Sequence, residues 1–557
     1  MRALILFASM AAAIAAPGEL VDRFIWEKAQ RDRVPFAASA SDSEFLRRLY
    51  LDLTGRLPEP DAARAFLKDT DPGKRQKAID ALFPEKPVPG MRSISSHPFL
   101  DRWAYFLNDL VRNGQLLEEG INAFYDWIYK CLLLNVPYDQ MVREMVTASA
   151  VSTWTNGPAN FLGRNRVFEG DGYMMNHEDT ADELAITTGK LFLGVNLECI
   201  SCHDGAAHLE KVNLWLSKKK RADVWRQASF FGKTYISPEF GRSPQFIVND
   251  TRAGYDLTTV SALRPKRYKA EITPTFILNG GRANEGEAPR AAFARMLTSD
   301  PQFARATVNL FWAELMGAGI VENPFDFDLA RQDPKNPPPA PWTIQPSHPE
   351  LLDALADGFR ESGYDLRWLI REIVSSKTYA LSGRFDGEWK QTYDSYFTRR
   401  RVRRLSAEQL YDAMSQVTGN WPDFKITYSP KKTPFVMQTH SPQDIDKSHR
   451  PTLLWMQTFG QCDRYEAEAT RRASMVQAAT LLNDKTVRAK VEIKPDHAWM
   501  KLAPAERVEK LFLLALSRPP TEAERRTALS LLETGDAVRT TEDLLWATIN
   551  RLDFLFY

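Results

Sequence analysis

Apolar residues along most of this chain recur at three- and four-residue spacing, the period of a helix with one buried face. Phe45, Leu49 and Leu53 form the first such face, opened by Ser41 with Glu44 as a capping box and stopped at Gly55, with Pro58 beyond. Short helices are predicted over Pro60–Lys68 and Pro72–Phe83, then a proline-rich break from Pro84 to Gly90. His97-Pro98 opens an aromatic helix through Trp103, Phe106 and Leu110, and another helix runs from Gly120 to Leu134. Gly, Asn and Pro thicken from Thr155 to Gly172, which predicts a long loop. Thr180 with Glu183 reads as the capping box of a helix continued by Leu184, Thr187, Leu191 and Val195. Between Ser237 and Asn279 the period changes. There Phe246–Val248 and Tyr268–Ile277 are β-leaning and bounded by Pro and Gly, which predicts a small strand pair.

The helical period then returns. Pro301–Met316 ends at Gly317, and Asp333–Pro349, with seven prolines, is predicted to be irregular. Ser347 with Glu350, Ser406 with Gln409 and Thr521 with Glu524 predict three helix starts, and a last helix is expected from about Thr541. The pattern as a whole is mainly α: two helical domains joined by a segment with a few short β-strands.

A chain of 557 residues is too long for one ordinary core. The irregular stretch puts the boundary near Arg264, giving residues 16–263 and 264–557. Residues 1–15 read as a secretory signal peptide: Met1-Arg2, an apolar run from Ala3 to Ala12, and an Ala13-Ile14-Ala15 cleavage site. That run is too short to span a bilayer, and no later stretch reaches the needed length. The expected mature protein has no integral membrane segment and is exported to the periplasm or surface of a bacterium. Lys and Arg number 72 against 71 Asp and Glu, and losing Arg2 with the leader leaves 71 against 71. So balanced a charge gives no footprint for nucleic acid. Lys218–Arg221 and Arg399–Arg404 are local basic runs, and such runs are commonly solvated faces.

Chemistry concentrates in one place. Of the four cysteines, two lie in Cys199-Ile200-Ser201-Cys202-His203. That spacing is the attachment signature of c-type haem, in which each thiol forms a thioether to the porphyrin and the adjacent imidazole ligates the iron. One covalent haem c is therefore expected on Cys199 and Cys202, with His203 as proximal ligand, and export agrees with it. Three other readings compete. A redox dithiol would sit at a strand-to-helix step, whereas here a helix precedes. Zinc would need His177 and His208 to complete four ligands. A plain Cys199–Cys202 disulfide is the third. Cys131, among Ile128, Leu132 and Leu133, reads as a buried thiol. Cys462 reads as a free surface thiol or a covered one.

The sixth iron position needs a ligand from the opposite face. His208 is five residues from His203, a tether of at most roughly 17 Å, with little slack to pass the porphyrin edge. His177, Met174 and Met175 lie across a whole helix and have more freedom. His177 ranks first, the methionines next and His208 last, with an open position as the alternative. Trp215, Trp225, Phe230 and Phe231 are apolar enough to wall a flat cofactor and equally suit plain core. Lys218–Arg221 could also meet haem propionates. No H-E-x-x-H, G-x-S-x-G or Walker loop is present.

The N-terminal half resembles the planctomycete-type cytochrome-like domain of unknown function. The matching residues are Phe45 to Pro58, then Leu193-Gly194-Val195 running into Cys199 to Asp204. The C-terminal half resembles the planctomycete-specific domain that usually follows it. The matches there are Asp300 to Ala306 with Asn309 and Trp312, Ser347 to Asp353, Arg404 to Leu410, Leu516 to Thr521, and Asp543 to Ala547. The resemblance implies an exported protein of a family that often carries further c-type haem domains, without a settled activity. No separate N-terminal cytochrome domain is expected from this sequence. It also has a histidine only at His208, where many relatives resemble C-x-x-C-H-D-H-P. The expected function is an exported c-type haem protein of the cell envelope, in electron transfer or haem redox chemistry, with an unknown redox partner or envelope protein. The alternative is a secreted non-haem scaffold or binding protein with a Cys199–Cys202 disulfide, an accessory to polysaccharide degradation.

Overall fold

The computed structural model describes residues 16–85, 96–169, 174–238, 245–465 and 469–557. The predicted leader and part of the proline-rich break after Pro84 lie outside the described residues. The chain is mainly helical, two helical domains joined by a segment that carries a short strand pair. Among the described residues no helix is long and apolar enough to cross a membrane.

Helices begin and end where side chains and glycines meet the orphan backbone groups. Ser41 Oγ accepts from Glu44 N, and Gly55 (φ 69°) closes the helix Asp42–Thr54. The box is only half formed, because the Glu44 carboxylate turns instead to Arg48, Ser382 and the Gly383 N–H. Pro60–Lys68, Gly120–Leu134 and Pro301–Met316 form over the predicted residues. Ser406–Gln409 and Thr521–Glu524 are complete capping boxes.

Several boundaries differ from the pattern. The predicted loop over 155–172 holds a short helix, Ala159–Arg164. The helix before the cysteine motif starts at His177, because Asn176, not Thr180, caps it through Asp179 N. Thr180 Oγ1 instead donates to Asn176 O (2.8 Å) and accepts from Val167 N (2.9 Å). Ser347 donates its backbone N–H to Ile320 O, which leaves His348 as N-cap and Pro349 as first residue of Pro349–Glu361. The helix expected from Thr541 starts at Ala537, capped by Asp536 through Val538 N and Arg539 N.

One β-leaning run is not a strand. Phe246–Asn249 pairs antiparallel with Tyr235–Pro238, with Ile236 opposite Val248. Among the described residues Tyr268–Ile277 has no strand partner, and the helix Arg221–Ala228 meets the end of the run instead. Thr275 N donates to Arg226 O and Ile277 N to Gln227 Oε1. A second, two-residue pair joins Phe424–Lys425 to Lys432–Thr433.

Two hydrophobic clusters make the interior. The larger runs from Val21 to Phe397 and also takes in Leu513, so helices on both sides of Arg264 share it. Trp103 stacks on Phe311 across it, ring centroids 5.3 Å apart. The smaller cluster is built from Leu405 to Leu555 with Leu51, Leu57 and Tyr105.

Between the clusters lies the basic run that was expected to be a solvated face. Arg400, Arg403 and Arg404 are buried. Asp52, 2 % exposed, pairs with Arg400 (3.0 Å) and Arg403 and accepts from the hydroxyls of Tyr379 (2.8 Å) and Tyr557 (2.9 Å). Glu314 pairs with Arg102 and with Arg471 (2.7 Å). Buried cations need such partners because desolvating an unpaired charge costs several kcal/mol, about 3–5 kcal/mol when one partner is removed. Arg47 anchors the same seam by donating to the carbonyls of Ala515 (3.2 Å), Phe554 (2.7 Å) and Phe556 (3.3 Å).

Candidate functional site: the Cys199–His208 turn

The helix His177–Leu193 is the frame of the site. Its N-terminal turns carry Glu178, Asp179 and Asp182, all buried. Arg267 donates to Asp179 Oδ1 (2.6 Å) and Asp182 Oδ2 (2.8 Å), and Tyr255 OH donates to Asp182 (2.6 Å). Burial pushes the Asp182 carboxyl up to about 6, against the pull of Arg267 and the Tyr255 hydrogen bond. This ionic ladder ties the helix to the segment 252–267.

Gly194 (φ 67°) ends the helix, and a single turn, Glu198–Cys202, follows. Ile200 points into the larger core at 0 % exposure, which holds the turn down by its apolar side. Cys199 and Cys202, three residues apart, then share the outer face of the turn. Cys199 is exposed, Cys202 half-buried, and both thiols are free.

Two arginines fix the backbone between the cysteines. Arg264 Nε donates to Ser201 Oγ (2.7 Å) and its Nη2 pairs with Glu183 on the long helix. Arg221 Nε donates to Ser201 O (3.3 Å), and Arg221 N to Asp204 Oδ1 (2.9 Å). Sequence reasoning missed both roles. Arg221 sat inside a run read as solvated, and nothing near Arg264 in the sequence marks its partner.

His203 follows the turn. Its Nδ1 lies 2.9 Å from the carbonyl oxygen of Asp204. As the donor tautomer, Nδ1–H is spent on that carbonyl and the Nε2 lone pair is left outward. Gly205 then turns the chain where no other residue fits: a Cβ there would lie 1.9 Å from the Leu216 carbonyl oxygen. Ala207, at φ 66°, continues the reversal and brings His208 back, so the rings of His203 and His208 sit 4.5 Å apart at 48°. So close a pair has no room for a flat macrocycle between the rings.

The other sequence-predicted residues lie elsewhere. His177 is the first residue of the long helix, half-buried, with its ring 5.3 Å from that of Tyr235 and its Nδ1 buried without a hydrogen-bond partner among the described residues. Burial and the neighbouring Arg252 hold its imidazole below the usual range. Met174 is exposed, and Met175 packs on the edge of the larger core and bridges Phe168. Trp225, Phe230 and Phe231 are buried, and Trp225 meets Tyr268. Cys131 and Cys462 are both buried, and burial pushes the Cys131 thiol up to about 12. Among the described residues no group of three or more His, Cys, Asp and Glu side chains is placed to hold a metal ion.

The site is a cysteine–cysteine–histidine turn braced on a long helix of a two-part helical protein. Residues 20–232 match the family described as PSCyt2, a protein of unknown function (DUF1549), and residues 289–532 match PSD1, a protein of unknown function (DUF1553). The chain therefore belongs to the proteins in which a PSCyt2 domain precedes a PSD1 domain. No curated protein and no solved structure matches it.

Proposed function

We propose that Cys199, Cys202 and His203 carry one covalent haem c, and that this is an exported haem protein of the cell envelope in electron transfer or haem redox chemistry. The observation that carries the reading is the His203 ring: Nδ1 is engaged by the Asp204 carbonyl at 2.9 Å, which leaves Nε2 to face a ligand, beside two free thiols on an accessible turn. The donor set fits the group chemically, with two thiols for thioethers and one oriented imidazole. Bound there, haem would supply a one-electron couple or an iron that takes a further ligand. The chain's own part is positional. Ile200 anchors the turn, Arg264 and Arg221 hold Ser201, and Gly205 sends the backbone back towards His208. His177, Met174 and Met175 stay the proposed sources of an opposite-face ligand. His208, in side contact with His203, is unsuited to that face in this arrangement. Export rests on Met1–Ala15, outside the described residues.

The test is expression with haem-maturation machinery, followed by intact mass and a pyridine haemochrome spectrum. One haem per chain is expected, retained through acid acetone extraction and abolished by Cys199→Ala with Cys202→Ala. An apo mass from a haem-competent host, with or without a disulfide, would overturn the proposal.

A further inference from the structure

A cavity of about 1250 Å³ opens beside the motif turn, between the two hydrophobic clusters. Its wall is cationic. Among the described residues that line it, eleven are Arg or Lys and five are Asp or Glu. Most of those carboxylates are already spent: Glu314 on Arg102 and Arg471, Asp109 on Arg464, Glu183 on Arg264.

Among the described residues, three guanidiniums in the wall form no ion pair, and carboxylates act on them only from a distance: Asp463 and Glu183 on Arg164, Glu118 on Arg166 and Glu408 on Arg404. Arg164 donates to the carbonyls of Arg112, Arg464 and Tyr465. Arg166 donates to those of Gly163 and Leu116, and Arg404 to those of Leu405, Phe459 and Thr470. Arg404 is 4 % exposed, and among the described residues the Nε atoms of Arg166 and Arg404 are buried without a hydrogen-bond partner. Carbonyl dipoles hold these groups in place but do not cancel their charge. Burial pushes both Arg166 and Arg404 down to about 10, with Arg164 adding to the push on Arg166 and Arg471 to that on Arg404. A guanidinium cannot lose its proton to escape that cost, so the wall holds a standing positive potential.

The rest of the lining mixes apolar residues with Asn165, Thr187, Ser406 and Thr470. Phe106, Phe168 and Leu191 face the cavity, and Leu263 and Val402, 55 % and 59 % exposed, stand at its mouth. Exposed aliphatic side chains beside unpaired cations suit a ligand with both kinds of surface.

We propose that this cavity binds a small ligand carrying at least two oxyanion groups on a body with an apolar or flat face. Arg164, Arg166 and Arg404 would supply the charge complement, and Leu263 and Val402 would cover the body. The ligand would lie next to Glu198, the residue before Cys199, which also lines the cavity. The inference does not rest on the haem reading.

Titration calorimetry on the full chain without its leader tests it, with three probes: adenosine diphosphate, a sulfated disaccharide and digalacturonate. At least one should bind one-to-one, and weaken about tenfold between low and physiological salt. The probe that binds identifies the oxyanion as phosphate, sulfate or carboxylate. Arg404→Gln should weaken it about tenfold or more. Because Arg404 is buried, that variant is first checked for native circular dichroism. The exposed Arg472→Glu and Val402→Glu, both in the lining, should also weaken binding and need no core rearrangement. No binding by any probe at millimolar concentration would overturn the proposal. So would affinity unchanged in both surface variants.

Discussion

The motif turn and the arginine seam are opposite solutions to placing reactive or charged groups. At the turn, Cys199 and His208 face solvent, and the short-range contact of His203 Nδ1 with Asp204 O is joined by the side chains of Arg221 and Arg264 on Ser201. At the seam, Asp52 binds Arg400 and Arg403 from sequence separations of 348 and 351 residues, with nothing exposed. The thiols and imidazoles of the turn are open to solvent, and the charge of the seam is closed and held from far along the chain. The arginine-lined cavity stands between, long-range in construction but with cations left unpaired.

The comparison breaks first at Asp52. Asp52→Asn leaves Arg400 and Arg403 without a counter-charge and is expected to cost about 3–5 kcal/mol, read as a lower urea midpoint. A loss under about 1 kcal/mol would show that the seam is not held by this pairing.

Glu314 gives the next effect and adds pH. Burial would raise its carboxyl, but Arg471, Arg102 and Arg403 override that and hold it at about 2. Its ordinary value is about 4.3, so the unfolded chain takes up the proton first. Its contribution is therefore full above about pH 4.3 and lost as pH falls towards about 2, worth on the order of 3 kcal/mol. Glu314→Gln should flatten that part of the stability–pH curve, and a curve that keeps its slope would assign the acid loss to other groups.

The smallest effect belongs to the turn. Without haem, Cys199→Ser with Cys202→Ser should change stability by no more than about 1 kcal/mol, because Cys199 is exposed, Cys202 is half-buried and neither belongs to a core cluster. A larger loss in urea unfolding would give these thiols a structural part.

What could be read from the sequence divides along the same line. The turn was legible because the spacing of Cys199, Cys202 and His203 is itself the signal, and Gly205 in Asp204-Gly205 marked the reversal. Helices with strong local punctuation, such as Gly120–Leu134 with Asn135 beyond it, were legible for the same reason. Asn176 was passed over because Thr180 offered a fuller capping signature four residues on, although Thr180 lies inside the helix. His208 ranked last as a neighbour of the opposite face, and its side contact with His203 came from the left-handed Ala207, which no pattern announces. Arg399–Arg404 was misread because a run of like charge looks solvated until Asp52 and Glu314 arrive from elsewhere in the chain.

The grip of Arg47 on the Phe554 carbonyl, 507 residues away, orders events during synthesis. The guanidinium of the helix Asp42–Thr54 meets partners 468 and 507 residues on, while Asp52 of the same helix meets Tyr379, Arg400 and Arg403 before Tyr557. Contacts of such span close late, after the entropy of a very long loop has been met. The larger core that covers Phe45, Leu49 and Leu53 is complete by Phe397 apart from Leu513, so the polar seam, not the apolar face, is the part of this helix's surroundings that closes last. A ribosome-bound series of increasing length should show protease resistance at Asp42–Thr54 rising once residue 403 has emerged and again once residues 554–557 have emerged.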